Sequence, residues 1–247
     1  MIANNEDREL LTEAGYYLST VMTRVLDYVE KGMTTKELDD HIARIVTSEG
    51  HKSAPQIYYD FPSFSCISLN DEAAHGVAGD RIISDDLVKI DISIVHSNGM
   101  CADMCRTVYF GEDPKYEYLA SLGPACFENL MNADLKPGDS VVKIGKLVEE
   151  FATDSGVFVI DSLYGHGIGR SLHEEPNIPN VFNLHAMMNA PTLNEGEVFC
   201  IEPMFLHNPT HVSQYGDVFI NVTGAWSSHH EDMFLLTSEG LTNLTCK

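Results

Sequence analysis

An acid in the middle of an apolar strand needs a physical reason, and this sequence contains several. Val88-Lys89-Ile90-Asp91-Ile92-Ser93-Ile94-Val95 reads as a strand with Asp91 at its centre. Asp103 lies on the strand that follows, with Asn98-Gly99 between them as a hairpin turn signal. Loop length decides whether the two acids meet. A two-residue loop, Asn98-Gly99, pairs Ser97 with Met100, sets Asp91 opposite Arg106 and sends Asp103 to the other face. A three-residue loop, Ser97-Asn98-Gly99 with Gly99 left-handed, pairs His96 with Met100. Asp91 then faces Cys105 and lies diagonal to Asp103 on one face, about 7–8 Å away at Cα, within reach of a shared cation.

Two further acids sit at similar places, Glu202 in Val198-Phe199-Cys200-Ile201-Glu202-Pro203 and Glu231 just before Met233-Phe234-Leu235-Leu236. Any one strand acid could face water on an open sheet. Four together beside histidine-rich loops read differently, because a buried carboxylate without a counter-charge must protonate or bind metal. Tyr164-Gly165-His166-Gly167-Ile168-Gly169-Arg170 flanks a histidine with glycines that let backbone approach a ligand, and His173-Glu174-Glu175-Pro176 follows at once. His75-Gly76 has the same character. The remaining histidines, His41, His51, His96, His185, His207, His211, His229 and His230, read as ordinary surface or core residues. One imidazole and four carboxylates form a hard donor set carrying about four negative charges, which two divalent cations would balance. Mn, Fe, Co and Zn all suit such a set, and the letters do not choose among them.

These donors must be positioned by a mixed scaffold. Apolar residues recur at helical steps from Glu6 to about Gly50, with a second helix opened by Thr34-Thr35 and Glu37 and running through Val46. Helical spacing returns at 116–131 and 141–152, separated by a Lys136-Pro137-Gly138-Asp139 turn. Strands are expected at 64–69, 87–95, 104–110, 157–160, 197–202, 217–222 and 231–236, giving an α+β domain with an antiparallel, turn-rich sheet. No Gly/Ser-rich linker interrupts the 247 residues, so one domain is expected over 1–247. With 15 basic and 37 acidic residues the net charge is −22, which repels nucleic acid and anionic membranes. No apolar run is long enough to span a bilayer and the start is acidic, so the expected location is cytoplasmic. Six scattered cysteines read as reduced thiols, and Cys101 and Cys105, lacking a second close pair, read as strand residues.

The order Asp91, Asp103, His166, Glu202, Glu231, with His75 upstream, resembles the type I methionine aminopeptidases of the pita-bread metallopeptidase fold. The likeness runs along nearly the whole chain, and Gly-His-Gly-Ile-Gly-Arg followed by His173-Glu174-Glu175-Pro176 is its strongest part. It implies a curved antiparallel sheet with helices on its outer face, a pseudo-two-fold internal repeat, and no separate N-terminal extension domain. It also implies two metal ions, with Asp91 bidentate, Asp103 and Glu231 bridging, His166 and Glu202 on one ion, and Glu202 shuttling the proton. A bridging hydroxide would attack the first peptide carbonyl of a chain carrying N-terminal methionine before a small second residue. By the same resemblance His75 and His173 contact the scissile amide, and Tyr58, Phe61, Cys66, Leu172 and Trp226 surround the methionine side chain. A monomer with at most weak or transient ribosome contact is expected. The Asp91–Asp103 hairpin is one residue longer than the family's usual spacing, Leu172 stands where phenylalanine is frequent, and Asp232 replaces a common histidine. The rival readings are a proline-specific dipeptidase or aminopeptidase of the same fold, and a non-catalytic binding module, which would be expected to have lost ligands.

Overall fold

The two helices expected in the first fifty residues form, each with a side-chain cap. Asn4 accepts a hydrogen bond from the Asp7 backbone to open α1 (Asn5–Leu26). Thr34 and Glu37 cap each other reciprocally at the start of α2 (Thr35–Ser48), as their spacing predicts. The structure is a computed structural model and describes residues 4–182 and 190–246, so His185 lies outside the described residues. Along the chain follow β1 (Lys52–Ser53), α3 (Ala54–Tyr59), β2 (Cys66–Leu69), β3 (Glu72–Ala74), β4 (Leu87–Val95) and β5 (Cys101–Tyr109). Next come α4 (Pro114–Asn132), α5 (Val142–Asp154), β6 (Phe158–Val159), β7 (Tyr164–Gly167) and β8 (Glu174–Pro179). The chain finishes with β9 (Val198–Ile201), β10 (Phe205–Leu206), β11 (Val212–Tyr215), β12 (Val218–Asn221), β13 (Asp232–Thr237) and β14 (Gly240–Asn243).

Every strand pair is antiparallel, as an α+β reading requires. In one sheet β4 pairs with β5 along its length and with β2 and β1 on its other edge. A second sheet runs β14-β13-β9-β7-β8. The two are stitched together where Cys105 and Glu231 exchange backbone hydrogen bonds of 3.1 and 3.0 Å. Alternation along β4 sends Val88, Ile90, Ile92 and Ile94 into a core with Leu11, Leu18, Val21 and Val25 of α1 and Leu38 and Ile42 of α2. Phe199, Ile201, Phe234 and Leu236 meet Leu122 and Phe127 of α4 and Val148 of α5 in a second core. Fully burying each of these side chains stabilises the packed helices by about 1.5–3 kcal/mol. Each sheet therefore carries a helix pair, the arrangement an internal repeat implies. Among the described residues no helix is long and apolar enough to cross a membrane.

The glycines around His166 let strands pack closely. Residues 164–167 and 174–179 are strands, and a Cβ at Gly165 would lie 2.3 Å from the Cys200 carbonyl oxygen. One at Gly167 would lie 2.3 Å from the Glu175 carbonyl oxygen. Both glycines thus let neighbouring strand backbone approach closely, and that fixes where His166 can stand. Gly167→Ala is expected to destabilise by about 1–3 kcal/mol in urea unfolding, while Gly79→Ala, where a Cβ meets nothing within 4 Å, serves as the near-neutral control.

Candidate metal centre

The hairpin takes the three-residue loop. His96 N donates to Met100 O at 2.8 Å, Gly99 has φ +88°, and Asp91 pairs with Cys105 while Ser93 pairs with Asp103. Odd-numbered residues of β4 and β5 thus share a face, and Asp91 and Asp103 converge. The pairings Cys66–Asp91, Asp91–Cys105 and Cys105–Glu231 form one row across the sheets, which brings in Glu231 from the far end of the chain. The β13–β9 register ends at Asp232–Ile201, so Glu231 and Glu202 emerge together from neighbouring strands. His166 comes from β7, beside β9. All five residues line one cavity of about 310 Å³.

Spacing within this cavity suits a shared cation better than hydrogen bonds. His166 Nε2 is 3.5 Å from Glu231 Oε1 and 3.7 Å from Asp103 Oδ2. Ligands about 2.1 Å from one ion, subtending about 90–120°, stand about 3.0–3.6 Å apart, whereas an N–H···O bond is about 2.9 Å. Nδ1 of His166 lies 3.0 Å from the Gly167 carbonyl, which can only accept, so the proton belongs there and the Nε2 lone pair faces the carboxylates. Asp91 Oδ1 and Glu231 Oε1 are buried with no hydrogen-bond partner. Asp91, Asp103 and Glu231 offer oxygens all within 4.8 Å of one another. Burial, then the charge of Glu231, pushes the Asp91, Asp103 and Glu202 carboxyls well above the usual range. Burial pushes Glu231 the same way, but the neighbouring His166 overrides it and holds Glu231 below its ordinary value. Cys200 shares a donor group with His166 and Glu231, yet burial pushes its thiol well up, leaving it a neutral neighbour.

His75 and His173 line the same cavity. His75 has φ +56° and meets Phe219 edge-on at 5.1 Å. His173 stands 4.1 Å from the His166 ring, centroid to centroid, and its Nδ1 is hydrogen-bonded to the Tyr59 hydroxyl. Burial lowers the pKa of His75 and holds His173 down to about 4, so both rings are neutral at neutral pH. Phe61, Cys66 and Leu172 form an apolar part of the wall. Tyr58 and Trp226 stand outside the lining, contrary to expectation. The Tyr58 hydroxyl is tied to the Arg170 carbonyl at 2.7 Å, and Trp226 stacks on Tyr116 at 4.3 Å in the second core.

Sequence reasoning also missed residues. His229, read as an ordinary histidine, is buried in the cavity wall with Nε2 3.4 Å from Glu202 Oε2. Its position two residues before Glu231 was the available signal, since an extended segment returns to one face every second residue. Lys89 is fully buried two residues before Asp91, donates to Asn70 O at 2.7 Å, and is held down to about 7 by burial. Asp232 now has a reason. It is buried and accepts from Arg106 Nη2 at 2.7 Å, Thr245 Oγ1 at 2.7 Å and Asn243 Nδ2 at 2.9 Å, locking β13 to β5 and β14 beside Glu231.

The sequence pattern of metallopeptidase family M24 matches residues 9–238. A methionine aminopeptidase of Staphylococcus epidermidis is 37% identical over 218 residues, spanning 87% of this chain and 85% of the relative. The crystal structure of methionine aminopeptidase from Rickettsia prowazekii superposes with a TM-score of 0.91 at 26% identity, over 100% of this chain and 99% of that one. A prolidase from Pyrococcus horikoshii shares the fold at a TM-score of 0.76 and 19% identity, with this chain spanning 63% of its length. The antiparallel α+β architecture is the pita-bread fold of these proteins.

Divalent cations should stabilise the protein, and increasingly so as pH rises. At about 100-fold excess over Kd the gain is about 2.7 kcal/mol, or roughly 5–10 °C in Tm for a chain of this size. The unfolded carboxyls lose their protons near pH 4, whereas those of Asp91, Asp103 and Glu202 keep theirs to higher pH when folded without metal. The folded metal-free state then binds more protons than the unfolded, so its stability falls with rising pH while the metal-loaded state escapes that loss. Scanning calorimetry with chelator and with Mn(II) from pH 5 to 7.5 should show a widening gap; a constant or narrowing gap refutes the argument.

Proposed function

Because the chain belongs to metallopeptidase family M24, we propose that it removes N-terminal methionine from nascent proteins and peptides, favouring a small second residue. The observation that carries this reading is the convergence of Asp91, Asp103, His166, Glu202 and Glu231 on a cavity whose other walls include His75, His173, Phe61, Cys66 and Leu172. About four negative charges are balanced by two divalent cations, drawn from Co, Mn, Fe or Zn. Asp91 would hold one, His166 and Glu202 the other, and Asp103 and Glu231 both. When bound, such ions supply Lewis acidity, which acidifies water and polarises a carbonyl oxygen.

The chain's own side chains do the rest. Glu202 accepts the proton from the attacking water and returns it to the departing amide nitrogen. His75 and His173, neutral at neutral pH, hydrogen-bond the scissile amide and the oxygen that gains charge. The acidic face receives the free α-amine, so an acylated or internal residue is not held and only the first residue is released. Phe61, Cys66 and Leu172 offer an apolar, polarisable surface suited to a thioether. Residues 1–247 act as one catalytic domain in this reading, and the family pattern over 9–238 supports it. A net charge of −22 supports a cytoplasmic monomer with no nucleic-acid or membrane partner and at most transient ribosome contact.

Metal-stripped protein supplied with Co(II) or Mn(II) should release methionine from Met-Ala and Met-Gly peptides and leave Xaa-Pro dipeptides intact. Turnover of Xaa-Pro alone would make the protein a proline-specific peptidase, and no turnover with any metal would make it a binding module. Asp103→Ala should abolish methionine release and lower bound metal by elemental analysis. His75→Ala should cut the rate by about 100-fold or more with metal content unchanged; loss of metal in that variant would contradict the role given to His75.

A further inference from the structure

We propose that His229 is a sixth protein ligand of the metal centre, its Nε2 binding the ion shared by Glu202 and Glu231. The inference rests on the metallopeptidase reading and adds a donor to the five above. Three observations point to it. His229 is 2% exposed, lines the cavity, and its Nε2 has no hydrogen-bond partner. An imidazole nitrogen left unpaired in such a place loses its hydration with nothing in return, unless something in the cavity pairs with it. Nε2 lies 3.4 Å from Glu202 Oε2, too long for an N–H···O bond and the same class of spacing as the 3.5 Å between His166 Nε2 and Glu231 Oε1. Nitrogen and oxygen atoms of His229, Glu202 and Glu231 also form a group all within 4.8 Å of one another, sharing only Glu231 with the Asp91, Asp103 and Glu231 group.

The ring is aimed by its backbone. Thr107 Oγ1 donates to His229 O at 2.6 Å and accepts from His229 N at 2.9 Å, so both ends of the residue are clamped to β5. That clamping preorganises a ligand, since little freedom remains to be lost on binding. With His166 and His229 together, one site gains a second imidazole while the Asp91 site stays all-oxygen, so the two positions differ in their preferred metals, the nitrogen-rich one favouring Zn, Fe or Co over Mn.

Proton NMR of the Co(II)-loaded protein tests this without activity, because ring protons of a cobalt-bound imidazole are displaced far outside the ordinary range. Two displaced imidazole sets are expected in the wild type and one in His229→Gln. Calorimetric titration of metal-stripped His229→Gln and His229→Ala with Co(II) should show about tenfold or greater weakening at one site and little change at the other. Thermal melts of the metal-free variants check that the fold is intact, and the wild-type spectrum decides the matter even if a variant fails to fold. A single displaced set in the wild type, or variants that bind both ions as the wild type does, overturns the role of His229 alone. A wild type that binds no divalent ion overturns the metallopeptidase reading with it.

Discussion

Mutual repulsion among buried carboxylates is the constraint on which the rest of the structure depends. Asp91, Asp103, Glu202 and Glu231 face one cavity, and burial together with the charge of Glu231 drives the first three towards their protonated forms. Glu231 alone departs from that direction, its carboxyl held below the ordinary range by the neighbouring His166. A centre of this kind costs stability unless cations compensate it, so the scaffold must hold the acids together against their own repulsion. It does so through backbone: each acid sits on or at the end of a strand whose register is fixed by ladder hydrogen bonds and by packing on the opposite face.

The two sheets divide that labour. β4 and β5 supply Asp91 and Asp103 from a hairpin pressed against α1 and α2, and β7, β9 and the approach to β13 supply His166, Glu202 and Glu231 from a sheet pressed against α4 and α5. The Cys105–Glu231 bridge joins them, and Asp232, hydrogen-bonded to Arg106, Asn243 and Thr245, anchors the residue next to Glu231. Gly165 and Gly167 allow β7 to lie against the Cys200 and Glu175 carbonyls, which places His166 over the acids.

Around the acids stands a ring of imidazoles kept neutral by burial, His75, His173 and His229. Neutral rings add no positive charge to compete with incoming cations and retain a lone pair, so they can serve as hydrogen-bond partners or ligands. His173 is further oriented by the Tyr59 hydroxyl, which places one aromatic residue of α3 at the site while Tyr58 of the same helix turns to the Arg170 carbonyl.

Much of this was legible in the letters because the signals are local. Alternation places Asp91 and Asp103 on one face once the loop is counted as three residues, and Asn98-Gly99 supplies the turn chemistry that permits it. The capped helices, the α+β class and the donor set follow from patterns of the same short range. Contacts between residues far apart were not legible. The stacking that takes Trp226 to Tyr116, the pairing that makes strands of the glycine-rich segments, the network around Asp232, the burial of Lys89 and the place of His229 in the cavity wall all depend on which surfaces the two sheets bring together. The sequence by itself determined the alternation along each strand and the five donor residues it singled out, since periodicity is a property of the chain, but it left a two- or three-residue loop to decide whether Asp91 and Asp103 shared a face. Tertiary structure alone decided which strands became neighbours, because that follows from the summed burial of two cores rather than from any one segment.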